Sequence, residues 1–132
     1  MENINKTERR DDRINCMEML FSYDLNKEYI LLNPSDDYSE FATSLVNYVC
    51  TNLEAIDEVI SNSLVNYKIN RLSYVDRAII RIATAEMMMD TPKAVVINEA
   101  LEIVKVYSDQ GDGAAVRFVN KVLDNISKNL ER

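Results

Sequence analysis

The chain has 132 residues, of which 47% are hydrophobic and 28% charged, and its formal net charge is −7. This balance excludes a disordered chain, and the length suits one folded domain that needs neither a metal nor a disulfide for stability. The acidity argues against a general nucleic-acid coat protein, and the lack of His excludes Ser-His and Cys-His nucleophile schemes within the chain.

Only two Gly and two Pro are present, so turns should be few and elements long, which favours helices. The first helix is expected from about Lys6 to Asn26. Asn5-Lys-Thr-Glu8 has capping-box spacing, with Asn in place of Ser or Thr, and Ile14, Met17, Leu20, Phe21 and Leu25 recur at helical spacing. Asn33-Pro34-Ser35-Asp36 reads as a turn, and the acids that follow suit a helix start. Tyr38, Phe41, Ala42, Leu45, Tyr48 and Val49 form the next apolar stripe. Leu53, Ile56, Val59, Ile60 and Leu64 continue it with a phase change, so two helices with a bend near Thr51-Asn52 are expected.

Ser73-Tyr-Val-Asp76 is a cap that opens a helix with Val75, Ala78, Ile79, Ile82 and Met89 inward, and Asp90-Thr91-Pro92 ends it. Ile97, Ala100, Leu101, Val104 and Tyr107 mark a fifth helix, although the β-branched start Val95-Val96-Ile97 leaves a short strand as the competing reading. Gly111-Asp-Gly113 breaks the chain, and Ala115, Phe118, Val119, Val122, Leu123, Ile126 and Leu130 form the last stripe. The expected fold is all-α. Six to seven helices make one domain of two packed three-helix subdomains, divided as 1–66 and 67–132.

No apolar run approaches the length of a membrane span, and the polar N-terminus has no signal-peptide core, so a cytoplasmic protein without a membrane partner is expected. Cys16 and Cys50 lie far apart without metal-ligand spacing and read as reduced, core-facing thiols. Charge is uneven. Between Lys27 and Lys68 stand seven acids and no Lys or Arg, and the remaining 15 of the 22 acidic residues balance the 15 basic ones. A local basic surface is compatible with the overall acidity, because fields between exposed charges fade over about 8 Å at physiological salt.

Lys6, Arg9, Arg10 and Arg13 share one side of the first helix, with Glu8, Asp11 and Asp12 on the other, and this basic side runs into the apolar stripe that begins at Ile14. It reads either as a ridge for phosphates or as a solvated helix start. Arg71, Arg77 and Arg81 form a second basic group, for pairing with Asp76 or the acidic half, or for contact with RNA. Glu54, Asp57 and Glu58 share a face and read as solvated carboxylates, not a metal site. Met87-Met88-Met89 reads as a helix end packed on a core or partner. Gly111-Asp-Gly113 lacks the features of a phosphate loop, and no catalytic constellation or cofactor site is found.

Three segments together resemble the NusB family of bacterial transcription antitermination factors. They are Arg9-Arg10-Asp-Asp-Arg13 followed by Leu20-Phe-Ser-Tyr23; Arg71 to Glu86; and Val96 to Tyr107 with Arg117 to Asp124. The resemblance implies two perpendicular three-helix subdomains and no enzyme activity. It implies binding of the single-stranded boxA element of ribosomal RNA leaders together with NusE, a ribosomal small-subunit protein, within an RNA polymerase antitermination complex.

By position, Arg9, Arg10 and Arg13 match the family's arginine-rich RNA-binding segment, and Phe118 matches an aromatic placed near RNA. Lys6, Arg117 and Lys121 complete the expected RNA-binding set. Phe21 and Glu86 match positions that face NusE, and a homodimer is left open. Several positions depart from the family pattern. Asp11 and Asp12 dilute the arginine segment, and Phe21 lacks the hydroxyl of the Tyr often found there. Lys121 replaces a usual Gly, Ala114 a usual acid, and Tyr67 a frequent Trp. A NusB-like domain also occurs fused to ribosomal RNA methyltransferases, but no cofactor-binding βαβ unit is visible here. The expected role is thus a non-catalytic RNA- and protein-binding adaptor, with a protein-interaction bundle whose RNA binding is weak or lost as the alternative.

Overall fold

A computed structural model describes residues 2–34 and 36–131, with side chains from residue 8 onward. The described secondary structure is entirely helical: α1 (Glu2–Asn26), α2 (Glu40–Thr51), α3 (Leu53–Ser63), a 3-10 turn (Ile69–Arg71), α4 (Tyr74–Met88), α5 (Lys93–Tyr107) and α6 (Ala114–Leu130).

Two local signals act as expected. Ser73 Oγ accepts the Asp76 N–H at 3.1 Å and starts α4. Asn52 ends α2 and begins α3, and its amide and backbone N–H both donate to the Tyr48 carbonyl. Other boundaries differ. Helix α1 begins at Glu2, so Asn5 lies inside the helix instead of capping it, and its side chain is outside the described residues. The turn around Pro34 closes through Asp36 N–H to the Asn33 carbonyl at 2.9 Å, with Ser35 itself outside the described residues. Ser39 caps α2, so Tyr38 precedes the helix and is exposed. Val95-Val96-Ile97 is helical, because Pro92 and Lys93 start α5 just upstream, and a proline is well suited to a helix start.

Helix α4 is the axis of the molecule and packs against all five other α-helices. The boundary expected at 66/67 falls between α3 and the 3-10 turn, yet one continuous core joins Leu20 on α1, Leu45 on α2, Ile56 on α3, Ile80 on α4, Val104 on α5 and Leu123 on α6. Fully burying each such side chain contributes about 1.5–3 kcal/mol before entropy is counted. The expected stripe positions Leu25 and Met89 are instead exposed, one in the last turn of α1 and the other just after α4. Cys16 is buried and Cys50 half-buried, both free, and burial pushes the Cys16 thiol up to about 12.

Every residue of α4 from Arg77 through Glu86 is buried. A helix buried all round is ordinarily apolar all round, so Arg77, Arg81 and Glu86 each require a partner. Arg77 donates Nε–H to Asp24 at 2.7 Å and Nη1–H to the Ile69 and Leu72 carbonyls. Arg81 grips Asp57 with two bonds, at 2.9 and 2.7 Å, and donates to the Tyr29 hydroxyl. Asp57 is therefore held in an ion pair and is not a solvated carboxylate as its helix face had implied. Asp76 takes its bond from the Ser108 hydroxyl, not from an arginine.

Candidate nucleic-acid interface

The arginines of α1 face three different environments. Arg9 is exposed, and its guanidinium lies 4.1 Å from the centre of the Phe41 ring. Arg10 donates Nε–H and Nη2–H to the two oxygens of Glu99 at 2.9 and 2.8 Å. Its own side chain keeps 38% exposure while that of Glu99 keeps 2%. Arg13 is buried and donates to both oxygens of Glu86 at 2.7 Å, with its third nitrogen 3.8 Å from Glu99. Arg10, Glu99, Arg13 and Glu86 thus form one chain of charge that ties α1 to α4 and α5. The bonds to Glu99 push the Arg10 pKa above its ordinary value. Burial opposes the charge on Arg13, but the bonds and charge of Glu86 outweigh it and the pKa again lies above the ordinary value.

These placements correct two expectations. Arg13 is not part of an open ridge, and Glu86 is not on an outer surface, because each is the other's buried counterion. Lys6 belongs to α1, but its side chain lies outside the described residues. Phe21 remains 36% exposed and meets Tyr74 edge-on at 5.9 Å. It does not share a surface with Glu86. Pairing of Arg13 with Glu86 and of Asp24 with Arg77 makes α1 and α4 antiparallel, with Phe21 eight residues along α1 from Arg13, or about 12 Å.

A second basic region starts α6. Arg117 and Lys121 are exposed, one turn apart, beside half-buried Phe118, whose ring lies 5.4 Å from that of Tyr67. Leu64, Val65 and Asn125 complete this shallow depression. The helix start is held by Asp109, whose carboxylate accepts the N–H groups of Gly111, Gly113, Ala115 and Val116 at 3.0–3.4 Å. Desolvation opposes this carboxylate's charge, but the four backbone bonds together outweigh it and hold it below the usual carboxylate range. Gly113, at φ 76°, takes the left-handed conformation that the turn requires.

Phe118 lies beside Tyr67, ahead of the start of α4, whereas Arg13 lies against the far end of α4 at Glu86. The expected RNA residues therefore form two regions and not one patch. Among the described residues, no cluster of His, Cys, Asp and Glu could hold a metal ion, and no helix is long and apolar enough to cross a membrane.

Residues 10–128 match the NusB family profile. The chain belongs to the NusB family. Transcription antitermination protein NusB of Bacillus cereus is 40% identical over 131 residues, an alignment covering 92% of this chain and 98% of the relative. Its Bacillus thuringiensis counterpart is 39% identical with the same coverage. The crystal structure of T. maritima NusB superposes with a TM-score of 0.77 at 32% identity, covering 91% of this chain and 90% of that one. A chain in the crystal structure of a plectonemic RNA supercoil superposes with a TM-score of 0.78 at 29% identity, covering 94% and 96%. The NusB family is one of transcription antitermination factors, and the all-α fold agrees with these relatives.

Glu99 and Asp109 have structural roles that the residue pattern does not single out. A signal for Glu99 was present: it falls between Val96 and Ile103, three residues after one and four before the other, and so within a buried stripe. Arg13 likewise stands one turn before Met17, and Glu86 one turn after Ile82. A charge inside the apolar stripe of each of several packed helices points to ion pairs between them.

Proposed function

We propose that this NusB-family protein is a non-catalytic adaptor that binds boxA-type single-stranded RNA together with NusE in an RNA polymerase antitermination complex. The observation that carries the RNA part is the start of α6, where exposed Arg117 and Lys121 flank the Phe118–Tyr67 ring pair in a chain of net charge −7. Lysine and arginine attract phosphates, and an aromatic face stacks an unpaired base for about 1–3 kcal/mol. Exposed Arg9 on α1 is a second, separate basic contact, with Arg10 presenting the edge that Glu99 leaves uncovered. Support also comes from the structural relative found with RNA. Phe21, with exposed Leu25 one turn on, is the proposed NusE-facing patch. Glu86 contributes to the partner surface only indirectly, by fixing α1 against α4 through Arg13.

The test is RNA titration over a range of salt. Arg117→Glu with Lys121→Glu should weaken binding and flatten its salt dependence while leaving the thermal midpoint near that of the parent. Unchanged affinity and slope would remove this region from the RNA site. A second reading, a protein-interaction bundle with weak or lost RNA binding, draws on the engagement of Arg10 and Arg13 by glutamates, which takes charge away from the expected ridge. NusE binding without RNA binding would favour it.

A further inference from the structure

The connection between α1 and α2, residues 27–39, holds two adjacent aliphatic side chains in solvent. Ile30 is 52% and Leu31 56% exposed, and Tyr38, at the far end of the connection, is 45% exposed. We infer that this connection is a docking surface for a basic protein segment that carries an apolar side chain. It is not the Phe21 patch. Tyr23, which borders the connection, follows Phe21 by two residues and so lies about 200° around α1 from it.

The connection is fixed in place. The side-chain amide of Asn47 on α2 brackets Leu32, accepting its N–H at 2.7 Å and donating to its carbonyl at 2.9 Å. The Tyr29 hydroxyl donates to Asp24 at 3.3 Å and accepts from Arg81 at 3.0 Å. Asp36 accepts the Asn33 N–H at 2.8 Å. Leu32 packs against the core, while Ile30 and Leu31 between these anchors are left outside. A partner that covers the exposed pair gains apolar burial without first having to order the loop. No hydrogen bond among the described residues uses the backbone of Ile30 or Leu31. Their N–H and carbonyl groups are therefore available to an extended peptide.

Charge identifies the occupant. Between Lys27 and Lys68 the chain has seven acids and no Lys or Arg. Asp57 is spent on Arg81, but Glu28, Asp36, Asp37, Glu40, Glu54 and Glu58 are exposed and enter no ion pair among the described residues. Glu28, Asp36 and Asp37 lie in the connection itself, and Glu40 starts α2. The Tyr23 ring meets Tyr29 edge-on at 6.2 Å, and burial, with Cys50, Tyr38 and Asp36 nearby, pushes its phenol up. Tyr29, Tyr23, Asp36 and Tyr38 thus share one neighbourhood, with Ile30 and Leu31 at its edge. Such a surface repels RNA phosphates and attracts lysine and arginine, and the aliphatic pair selects among basic segments.

The experiment titrates the isotope-labelled full chain with a short synthetic lysine–leucine peptide and follows the amide shifts. A lysine-only peptide and a glutamate–leucine peptide are run beside it. The inference predicts that the lysine–leucine peptide binds best, that its shifts concentrate in residues 28–40, and that its affinity falls with salt. Ile30→Ser with Leu31→Ser should lower that affinity roughly ten-fold, with the thermal midpoint near that of the parent because both side chains are exposed. Glu28→Lys with Asp37→Lys should weaken binding and flatten its salt dependence. Glu54→Lys with Glu58→Lys, on α3 outside the connection, should do less. No binding by the lysine–leucine peptide, or equal binding by either companion peptide, overturns the inference. An equal loss from the α3 reversal reduces the effect to general acidity and overturns it too. If the double serine variant instead abolishes self-association of the chain in sedimentation, the occupant is a second copy and the inference fails. If it weakens binding of boxA-type RNA, the surface belongs to RNA and the inference fails.

Discussion

The basic segment of α1 and the basic start of α6 contain the same kinds of side chain but meet opposite surroundings. On α1, Arg10 and Arg13 are each held by both oxygens of a buried glutamate on another helix. On α6, Arg117 and Lys121 extend into solvent beside an aromatic pair, and Arg117 bonds only to the nearby Asp112 carbonyl among the described residues. Arginine content alone therefore does not define an RNA surface. What lies across from each arginine decides whether its charge is spent inside the fold or offered outward.

The contrast is broken most severely by removing a buried acid. Glu86→Ala leaves the Arg13 guanidinium buried without its bidentate partner, and the expected loss is about 3–5 kcal/mol in chemical unfolding. Replacing both residues, Arg13→Met with Glu86→Leu, should recover most of that loss, because a well-packed apolar pair can equal or exceed a buried ion pair. A Glu86→Ala protein as stable as the parent would mean that the pair does not hold α1 to α4.

Phe118→Ala should have its main effect on the other side of the contrast. RNA binding should weaken by about 1–3 kcal/mol, seen by titration at fixed salt. Equal affinity in parent and variant would leave the Tyr67–Phe118 pair with packing alone as its role. Lys121→Ala should be milder still. Affinity should fall about equally for different RNA sequences and the salt slope by about one unit, without a change in the urea midpoint. A sequence-dependent loss would instead place Lys121 at a base.

The smallest expected effect concerns the start of α6 and pH. The Asp109 carboxylate is held below its ordinary value of 3.8. Its contribution to stability is therefore complete above the unfolded-state value and is lost as pH falls through the folded-state one. Urea unfolding of the parent and of Asp109→Asn should differ at pH 7 and converge in strong acid. A gap that does not narrow on acidification would mean that the charge on Asp109 adds nothing to the cap.

Helical periodicity makes most of this fold legible in the sequence. The all-α class, the Asn52 break and the Ser73 start all follow from local spacing, because a stripe or a cap needs only neighbours in sequence. The basic residues were harder to assign. A helical wheel puts Arg9, Arg10 and Arg13 on one side, but it cannot show that Glu99 is opposite one and Glu86 opposite another, since those partners are 89 and 73 residues away. The separation of Arg13 from Phe118 depends on how the five other α-helices pack around α4. The start of α1 differs for the opposite reason: an apparent local cap at Asn5 is overridden by a helix that continues upstream to Glu2.

The central claim, that RNA and NusE bind this protein as one cooperating set, is tested most directly by titrating it with boxA-type RNA at a stated salt concentration, with and without NusE. Two ligands that stabilise the same bound arrangement must strengthen each other by equal factors. The account predicts tighter RNA binding when NusE is present and a preference for boxA-type over scrambled RNA. Equal affinity in both titrations, with no preference between the RNAs, would contradict it.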